Sequence, residues 1–507
     1  MRDVFCSYYT NSDDITSYMV RMLNITNNDL ILEPSAGEGI FIDKIIHSDK
    51  DVQIDAFDIN QAAIDILQKK YENISNIKIK KTDTLLDTEL DFYSLTNGIY
   101  DKIIGNPPYG AWQDYDKRSM LKKKYPGQYV KESYSLFLLR CLSVLKSKGR
   151  LSFIIPDTYL FLNMHANLRK HLLTHTQIDE ILIFPSKFFP GVSFGYSNLS
   201  IITLETCEQE KALTNHIRII KGFKDSSEFS CLSYSNRGLP NHLEVYDIEQ
   251  RHILQNDKYR FILAEQDSTD ALCKSAIHLG DIANVVTGFY TGNNQKFIKV
   301  KNKDVRGAKD YDIVDSQKIY NCCSLNGIDN VSEGYIPYIK SSARQKYLAN
   351  DDWFVRWDSK TIRFYLNNKK TRFQNSSFYF KSGIGIPMVK SNCLKAFLMK
   401  DKIFDQSIVG IFPKDETKLL YILALMNSDV VNKIIHLINP TANNSANYIK
   451  LIPYYEPDRN TLKEIVKSVE NILIGLHNKD YDMVNSIQEK VNITINNLYK
   501  DNLSDFI

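Results

Sequence analysis

The sequence predicts an α/β protein in four parts: a largely parallel sheet over residues 1–205, a connection or subdomain over 206–274, a mixed, β-rich domain over 275–457, and a helical hairpin over 458–507. Three observations carry this reading. From residue 28, short apolar runs alternate with amphipathic stretches, the signature of βαβ units. Past residue 275 the text turns to Gly, Asn, aromatic and β-branched residues in short alternating stretches such as VVTGFYTGNNQKFI, GYIPYIKSS and DWFVRW. At the end, Leu462, Ile465, Val469, Ile472 and Leu476, then Val484, Ile487, Val491 and Leu498, recur at helical spacing.

Composition sets the outer bounds. A chain of 507 residues is too long for a single core. With 43% hydrophobic and 24% charged residues it sits near globular averages, which excludes disordered and fibrous classes. The N-terminal MRDVFCSYYTNSDD lacks the basic flank and apolar core of a secretory signal, and no apolar run approaches the roughly 18 residues of a membrane span, so a cytoplasmic protein without a membrane partner is expected. Eight scattered cysteines without a Cys-x-x-Cys pair argue against both a zinc ribbon and a disulfide framework, and no metal is expected. A net charge of +3 does not announce a polyanionic partner, so only local patches are informative.

The first strand, LILEPSAG, ends in Glu33, Pro34, Ser35, Ala36 and Gly37, with Gly39 opening the helix that follows. Glycines at such a turn let backbone N–H groups approach a ligand at the carboxyl edge of a sheet, although a plain strand-to-helix turn looks the same. The second strand, VQIDAFDIN, ends in Asp58 and Ile59, about 20 residues on, where a carboxylate can accept from both hydroxyls of a ribose. Asn60 can cap the following helix, Gln61 to Lys70, without Asp58. The third, IKIKKTD, ends in Asp83 and Thr84, where a carboxylate can accept from the exocyclic amine of adenine. Three consecutive strand ends thus offer what an adenosine requires. No phosphate-binding Gly-x-x-x-x-Gly-Lys-Ser/Thr loop appears and the third glycine of Gly-x-Gly-x-x-Gly is missing, which disfavours ATP and NAD. S-adenosylmethionine fits better, as a phosphate-free adenosine carrying a transferable methyl group.

The fourth strand, YDKIIG, delivers Asn106-Pro107-Pro108-Tyr109 to the same edge. Proline removes a backbone donor, fixes φ and holds the preceding residue extended, so the carbonyls here are aimed rigidly. An aromatic amine is a poor nucleophile because its lone pair is delocalised into the ring. The Asn106 side-chain oxygen and the Pro107 carbonyl could bind both amino hydrogens and favour a pyramidal nitrogen whose lone pair points at the methyl group. Tyr109 could stack on the base, a contact typically worth about 1 to 3 kcal/mol. GRLSFIIP, IDEILIF and SNLSIITLE follow as further strands, with a helix from Ser133 to Leu145 before them.

On these motifs the sequence resembles the adenine-N6 DNA methyltransferases, in the subgroup whose cofactor motifs precede the catalytic Asn-Pro-Pro-Tyr and whose target-recognition domain follows it. The resemblance runs motif by motif over residues 5–205. It implies a Rossmann-like sheet that binds S-adenosylmethionine and a β-rich domain that reads double-stranded DNA. By position, YYTNSDDI is similar to the family's N-terminal cofactor segment, with Thr10 the contact. Glu33, Pro34, Ser35, Ala36 and Gly37 match the methionine-binding turn, Asp58 and Ile59 the ribose site, Asp83 and Thr84 the adenine site, and Asn106 to Tyr109 the catalytic tetrapeptide. In KFFPGVSFGYSNLS, Phe189 stands where the family has a second base-stacking aromatic, with Phe188 able to take that place.

DNA contacts are expected from Lys117, Arg118, Lys122, Lys123 and Lys124, in a polar insertion beside the catalytic edge that could clamp phosphates or be a solvated loop. In the distal domain, Asn293, Asn294, Gln295, Lys296 and Arg344 have the chemistry to read base edges. A cognate endonuclease acting on the same site is a possible partner. Methylation of a glutamine amide or of RNA poses the same chemical problem, and a non-catalytic specificity protein could keep the fold; the extent of the distal segments and the intact tetrapeptide favour a DNA enzyme. A fused nuclease is not expected, since the cofactor segment begins by residue 10.

Overall fold

A computed structural model describes residues 12–48, 50–109, 115–189, 198–232, 238–263, 277–340, 345–389, 393–439 and 443–500. The chain divides into two compact units, Met1–Gln266 and Asp267–Ile507.

The first unit is built on a nine-stranded sheet. Its strands are β1 (Leu30–Glu33), β2 (Gln53–Asp58), β3 (Ile77–Lys81), β4 (Tyr100–Gly105), β5 (Leu145–Pro156), β6 (Thr176–Pro185), β7 (Asn198–Thr206), β8 (His216–Lys221) and β9 (Glu244–Glu249), in the order β3-β2-β1-β4-β5-β7-β6-β8-β9. β7 runs antiparallel to β5 and β6, and β9 antiparallel to β8; the other pairings are parallel. The strands expected from the sequence are all present. Residues in the 206–274 stretch, expected as a connection or subdomain, add β8 and β9 to the same sheet. The mixed signals of that stretch follow from its position, for β9 is an edge strand, exposed at Glu244 and Asp247, and reads EVYDIE rather than as an apolar run.

The helices that matter for the site are α1 (Asp13–Met22), α2 (Ile40–Ile46), α3 (Gln61–Lys70), α4 (Thr88–Leu95), α5 (Tyr115–Lys124) and α6 (Tyr134–Val144). Central strands are buried on both faces, with Ile31, Leu32, Ile103, Ile104, Leu151 and Phe153 all at 0% exposure, which is why they read as continuous apolar runs. The chain leaves β1 for β2 and β3 on one side, then returns to β4 on the other. That reversal opens a crevice outside the carboxyl ends of β1 and β4, the place where open α/β sheets bind ligands.

Among the described residues the second unit holds two sheets. One orders Ala283–Thr287, Ile408–Pro413, Gly383–Pro387, Phe397–Met399 and Tyr347–Leu348; the other orders Ile298–Val300, Trp353–Arg356, Tyr335–Ile339 and Ile403–Phe404. The helices Arg459–Asn478 and Tyr481–Lys500 form the expected terminal hairpin, burying Ile465, Val469, Ile472 and Leu476 from the first and Val484 and Val491 from the second. This hairpin shares one core with the five-stranded sheet. Among the described residues no single helix is long and apolar enough to cross a membrane.

Candidate active site

At the carboxyl edge of the first unit's sheet, hydrogen bonds join four successive strand ends. The Gly37 N–H, in the turn after β1, donates to Asp58 Oδ2 at the end of β2 at 2.8 Å, and the Ala36 N–H donates to the Phe57 carbonyl at 2.8 Å. After β3, the Thr84 hydroxyl donates to the Pro34 carbonyl at 2.6 Å. The Ser35 hydroxyl donates to the Asn106 carbonyl, just past β4, at 3.3 Å. The turn after β1 and the tetrapeptide are therefore neighbours, and Glu33, Asp58, Asp83 and Asn106 all stand on one rim.

The turn after β1 needs its second glycine. Gly39 caps α2 at φ +80°, and a Cβ there would lie 2.5 Å from the Tyr71 hydroxyl oxygen and 2.8 Å from Leu67 Cδ2. Tyr71 donates to the Gly39 carbonyl at 2.9 Å and to Asp43 Oδ1 at 2.8 Å, and Lys70 Nζ donates to the Glu38 carbonyl at 3.0 Å. The turn is thereby clamped from α3's end.

Glu33 is 1% exposed, and its Oε2 is buried with no hydrogen-bond partner among the described residues. Burial, reinforced by the Asp58 and Asp43 carboxylates and opposed by Lys70, pushes its carboxyl well above the ordinary range. Asp58 takes a second backbone donor, the Asn60 N–H at 2.8 Å on Oδ1, while Asn60 caps α3 by accepting from Ala62 at 3.0 Å. Each Asp58 oxygen thus keeps acceptor capacity. Beside it, Ile59 leaves 41% of its surface exposed, an aliphatic face at the rim. Asp83 Oδ1 accepts from Leu85 N–H at 3.2 Å, and its Oδ2 lies 2.7 Å from Lys117 Nζ.

In the tetrapeptide, Asn106 and Pro108 are half-buried and Pro107 and Tyr109 are buried. Phe189 is 1% exposed and Phe188 half-buried, both packed on Phe184 with centroids 6.0 and 5.9 Å away. Thr10 and Arg344 lie outside the described residues. The polar insertion forms α5, on which Lys122 and Lys123 are exposed, Arg118 is half-buried, and Lys124 pairs with Asp91 at 2.7 Å. In the second unit, Asn293 accepts from Lys296 N–H at 3.2 Å and Asn294 from the Thr291 hydroxyl at 2.7 Å, so these two amides shape their own turn, whereas Gln295 and Lys296 are exposed.

Two residues to which the sequence reading gave no role at the site emerge. Tyr71 holds the glycine turn, and Ser133, at the start of α6, donates its hydroxyl to the Pro108 carbonyl at 2.6 Å. Ser133 looks in sequence like an ordinary helix cap, and no local signal discloses a contact 25 residues away.

Residues 14–189 match the model of the Eco57I restriction-modification methylase family. The type II methyltransferase M.AccI of Acinetobacter calcoaceticus is 23% identical over 363 residues, covering 70% of this chain and 60% of that protein. The adenine-specific methyltransferase BrxX of Escherichia coli is 22% identical over 385 residues, covering 74% of this chain and 29% of BrxX. The chain thus aligns with less than two thirds of either relative's length. The solved structure of the ATP-dependent Type ISP restriction-modification enzyme LlaBIII bound to DNA superposes with a TM-score of 0.55, at 12% identity, over 92% of this chain and 39% of that one, a likeness of fold. The methylase resemblance read from the strand-end motifs is borne out by the match of residues 14–189 to the model of the Eco57I restriction-modification methylase family.

Proposed function

We propose that this protein transfers a methyl group from S-adenosylmethionine to N6 of an adenine flipped out of double-stranded DNA, as the modification enzyme of a restriction-modification system. The observation that carries the reading is the rim itself, where the Ser35–Asn106 hydrogen bond sets the cofactor turn against the tetrapeptide at the sheet's switch point. The match to restriction-modification methylases and the adenine specificity of BrxX support the choice of substrate.

The residues present fit the cofactor. The buried Glu33 Oε2, without a partner among the described residues, suits a cationic ammonium group, Asp58 retains lone pairs for ribose hydroxyls, and Ile59 offers an apolar face to a flat ring. When bound, S-adenosylmethionine would supply an electrophilic methyl group on its sulfonium. Asn106 Oδ1 and the Pro107 carbonyl accept the two amino hydrogens of adenine, concentrating the lone pair on N6 for in-line attack. Tyr109 and a phenylalanine of the 188–189 pair bracket the base, offsetting part of the few kcal/mol that unstacking costs.

Incubation with methyl-labelled S-adenosylmethionine and plasmid DNA tests this. Label is expected in DNA as N6-methyladenine, and Asn106→Ala should remove at least about 100-fold of turnover while cofactor affinity stays within about twofold. Label in protein or RNA with none in DNA would overturn the proposal.

A further inference from the structure

Lys117 reads from the sequence as a phosphate clamp, yet its Nζ sits 2.7 Å from Asp83 Oδ2, with only 24% and 22% of the two side chains exposed. Asp83 is the strand-end carboxylate assigned to the adenine of the cofactor. Its other oxygen, Oδ1, accepts the Leu85 N–H at 3.2 Å, so a backbone donor and an ammonium fix the plane of the carboxylate from opposite ends. The same helix grips the same region at its far end. Lys124 Nζ lies 2.7 Å from Asp91 Oδ1, the Tyr125 hydroxyl donates to the Leu85 carbonyl at 2.9 Å, and Leu121 between them is 0% exposed. Asp91 also receives Arg140 Nη1 from α6 at 2.7 Å, and Arg140 Nε donates to the Thr84 carbonyl at 3.2 Å. A helix serving only to offer cations to DNA would turn them to solvent. Here Lys122 and Lys123 do so, while Lys117 turns toward Asp83 in the loop after β3 and Lys124 toward Asp91 on α4.

We propose that Lys117 is a positioning residue for S-adenosylmethionine, holding Asp83 in the orientation that accepts the adenine amino group, and that α5 is the outer wall of the adenine subsite. The proposal rests on the cofactor reading above. Its physical content is preorganisation: a carboxylate already fixed by two donors loses little further freedom when adenine binds. Asp83 Oδ2 keeps a second lone pair for the ligand after accepting from Lys117.

The test separates a cofactor role from a DNA role. Lys117→Met keeps the length of the stem and removes the charge. Calorimetric titration with S-adenosylmethionine in the absence of DNA should give a Kd raised roughly fivefold, the scale of a partly exposed ion pair. In steady state, KM for the cofactor should rise similarly while kcat at saturation and KM for DNA change less than about twofold. Lys117→Arg should restore most of the affinity. Asp83→Asn combined with Lys117→Met should bind no more weakly than Asp83→Asn alone, because the lysine acts through the carboxylate. The Lys122→Met, Lys123→Met double variant should leave cofactor Kd unchanged and flatten the salt dependence of DNA binding.

An unchanged cofactor Kd for Lys117→Met, with weaker DNA binding and a flatter salt slope, would overturn the proposal in favour of a phosphate clamp. Equal losses in the Met and Arg variants, with a lowered Tm in both, would reduce Lys117 to a packing role and overturn it too. A wild-type protein that takes up no S-adenosylmethionine would instead sink the cofactor reading beneath it.

Discussion

The Ser133 hydroxyl donates to the Pro108 carbonyl at 2.6 Å, tying the start of α6 to the middle of the tetrapeptide. Ser133 stands at the cap position of α6 but makes no capping hydrogen bond, its backbone already being helical at φ −82° and ψ −34°. Its side chain is committed to the tetrapeptide instead of to its own helix. Because prolines fix φ on either side of the Pro107 carbonyl, a hydrogen bond on the next carbonyl holds the whole acceptor array in place.

Ser133→Ala should therefore lower kcat about five- to tenfold, the worth of one buried hydrogen bond expressed in the transition state, with KM for cofactor nearly unchanged. Ser133→Thr, which keeps the hydroxyl, should recover much of the loss. Steady-state kinetics on plasmid DNA measures both.

Glu33 predicts a proton linkage. Its buried carboxyl is pushed well above its ordinary value, so in the free protein it holds its proton to higher pH than an exposed glutamate. A cationic ligand group beside it favours the carboxylate, so binding should release a proton and tighten as pH rises through the raised pKa. Calorimetry in two buffers of different ionisation enthalpy should show net proton release for the wild type and none for Glu33→Gln, whose affinity should fall.

Asp157, at the end of β5, predicts a pH-dependent stability. Burial pushes its carboxyl up to about 6, although Asn198 Nδ2 donates to it at 3.1 Å. A group with a raised folded pKa is stable in its protonated form below the unfolded pKa and costs stability as pH climbs through the folded one. Asp157→Asn should thus raise stability by about 2 to 3 kcal/mol at pH ~8 and by almost nothing near pH ~3.5. Denaturant titration at the two pH values checks the sign.

Gly39→Ala should cost about 1 to 3 kcal/mol and weaken cofactor binding, since the new Cβ would force Tyr71 away at a backbone position of φ +80°. Tyr71→Phe should show a smaller loss, because it removes the hydroxyl bonds to Gly39 and Asp43 without straining the turn. Thermal unfolding and cofactor titration of the two variants provide the comparison.

The first unit of the fold was legible because strands buried on both faces must be apolar throughout, so that polar residues stand out at their carboxyl ends. LILE, QIDAFD and YDKIIG announce themselves for that reason, as do Glu33, Asp58 and Asp83. What escaped was decided by tertiary approach. Nothing in KRSMLKKK distinguishes the two lysines that turn inward from the two that face solvent, and nothing local sends the Ser133 hydroxyl to Pro108 rather than to its own helix. The acidic EVYDIE was opaque because an edge strand exposed at Glu244 and Asp247 lacks the continuous apolar signature. In the second unit, Asn293 and Asn294 carry the right groups for base edges and yet bond their own turn, an ambiguity that amide-rich loops always present.

The two margins of the large sheet have opposite character. β3 presents Lys78, Lys80 and Lys81, and β9 presents Glu244 and Asp247. These charges are matched within the chain, Lys78 and Lys80 by Glu89, Glu244 by Lys221 and Asp247 by His216, and charged side chains on an edge strand disfavour pairing with another chain. At either margin an added strand would have to displace those ion pairs, so the sheet is disposed to end where it does.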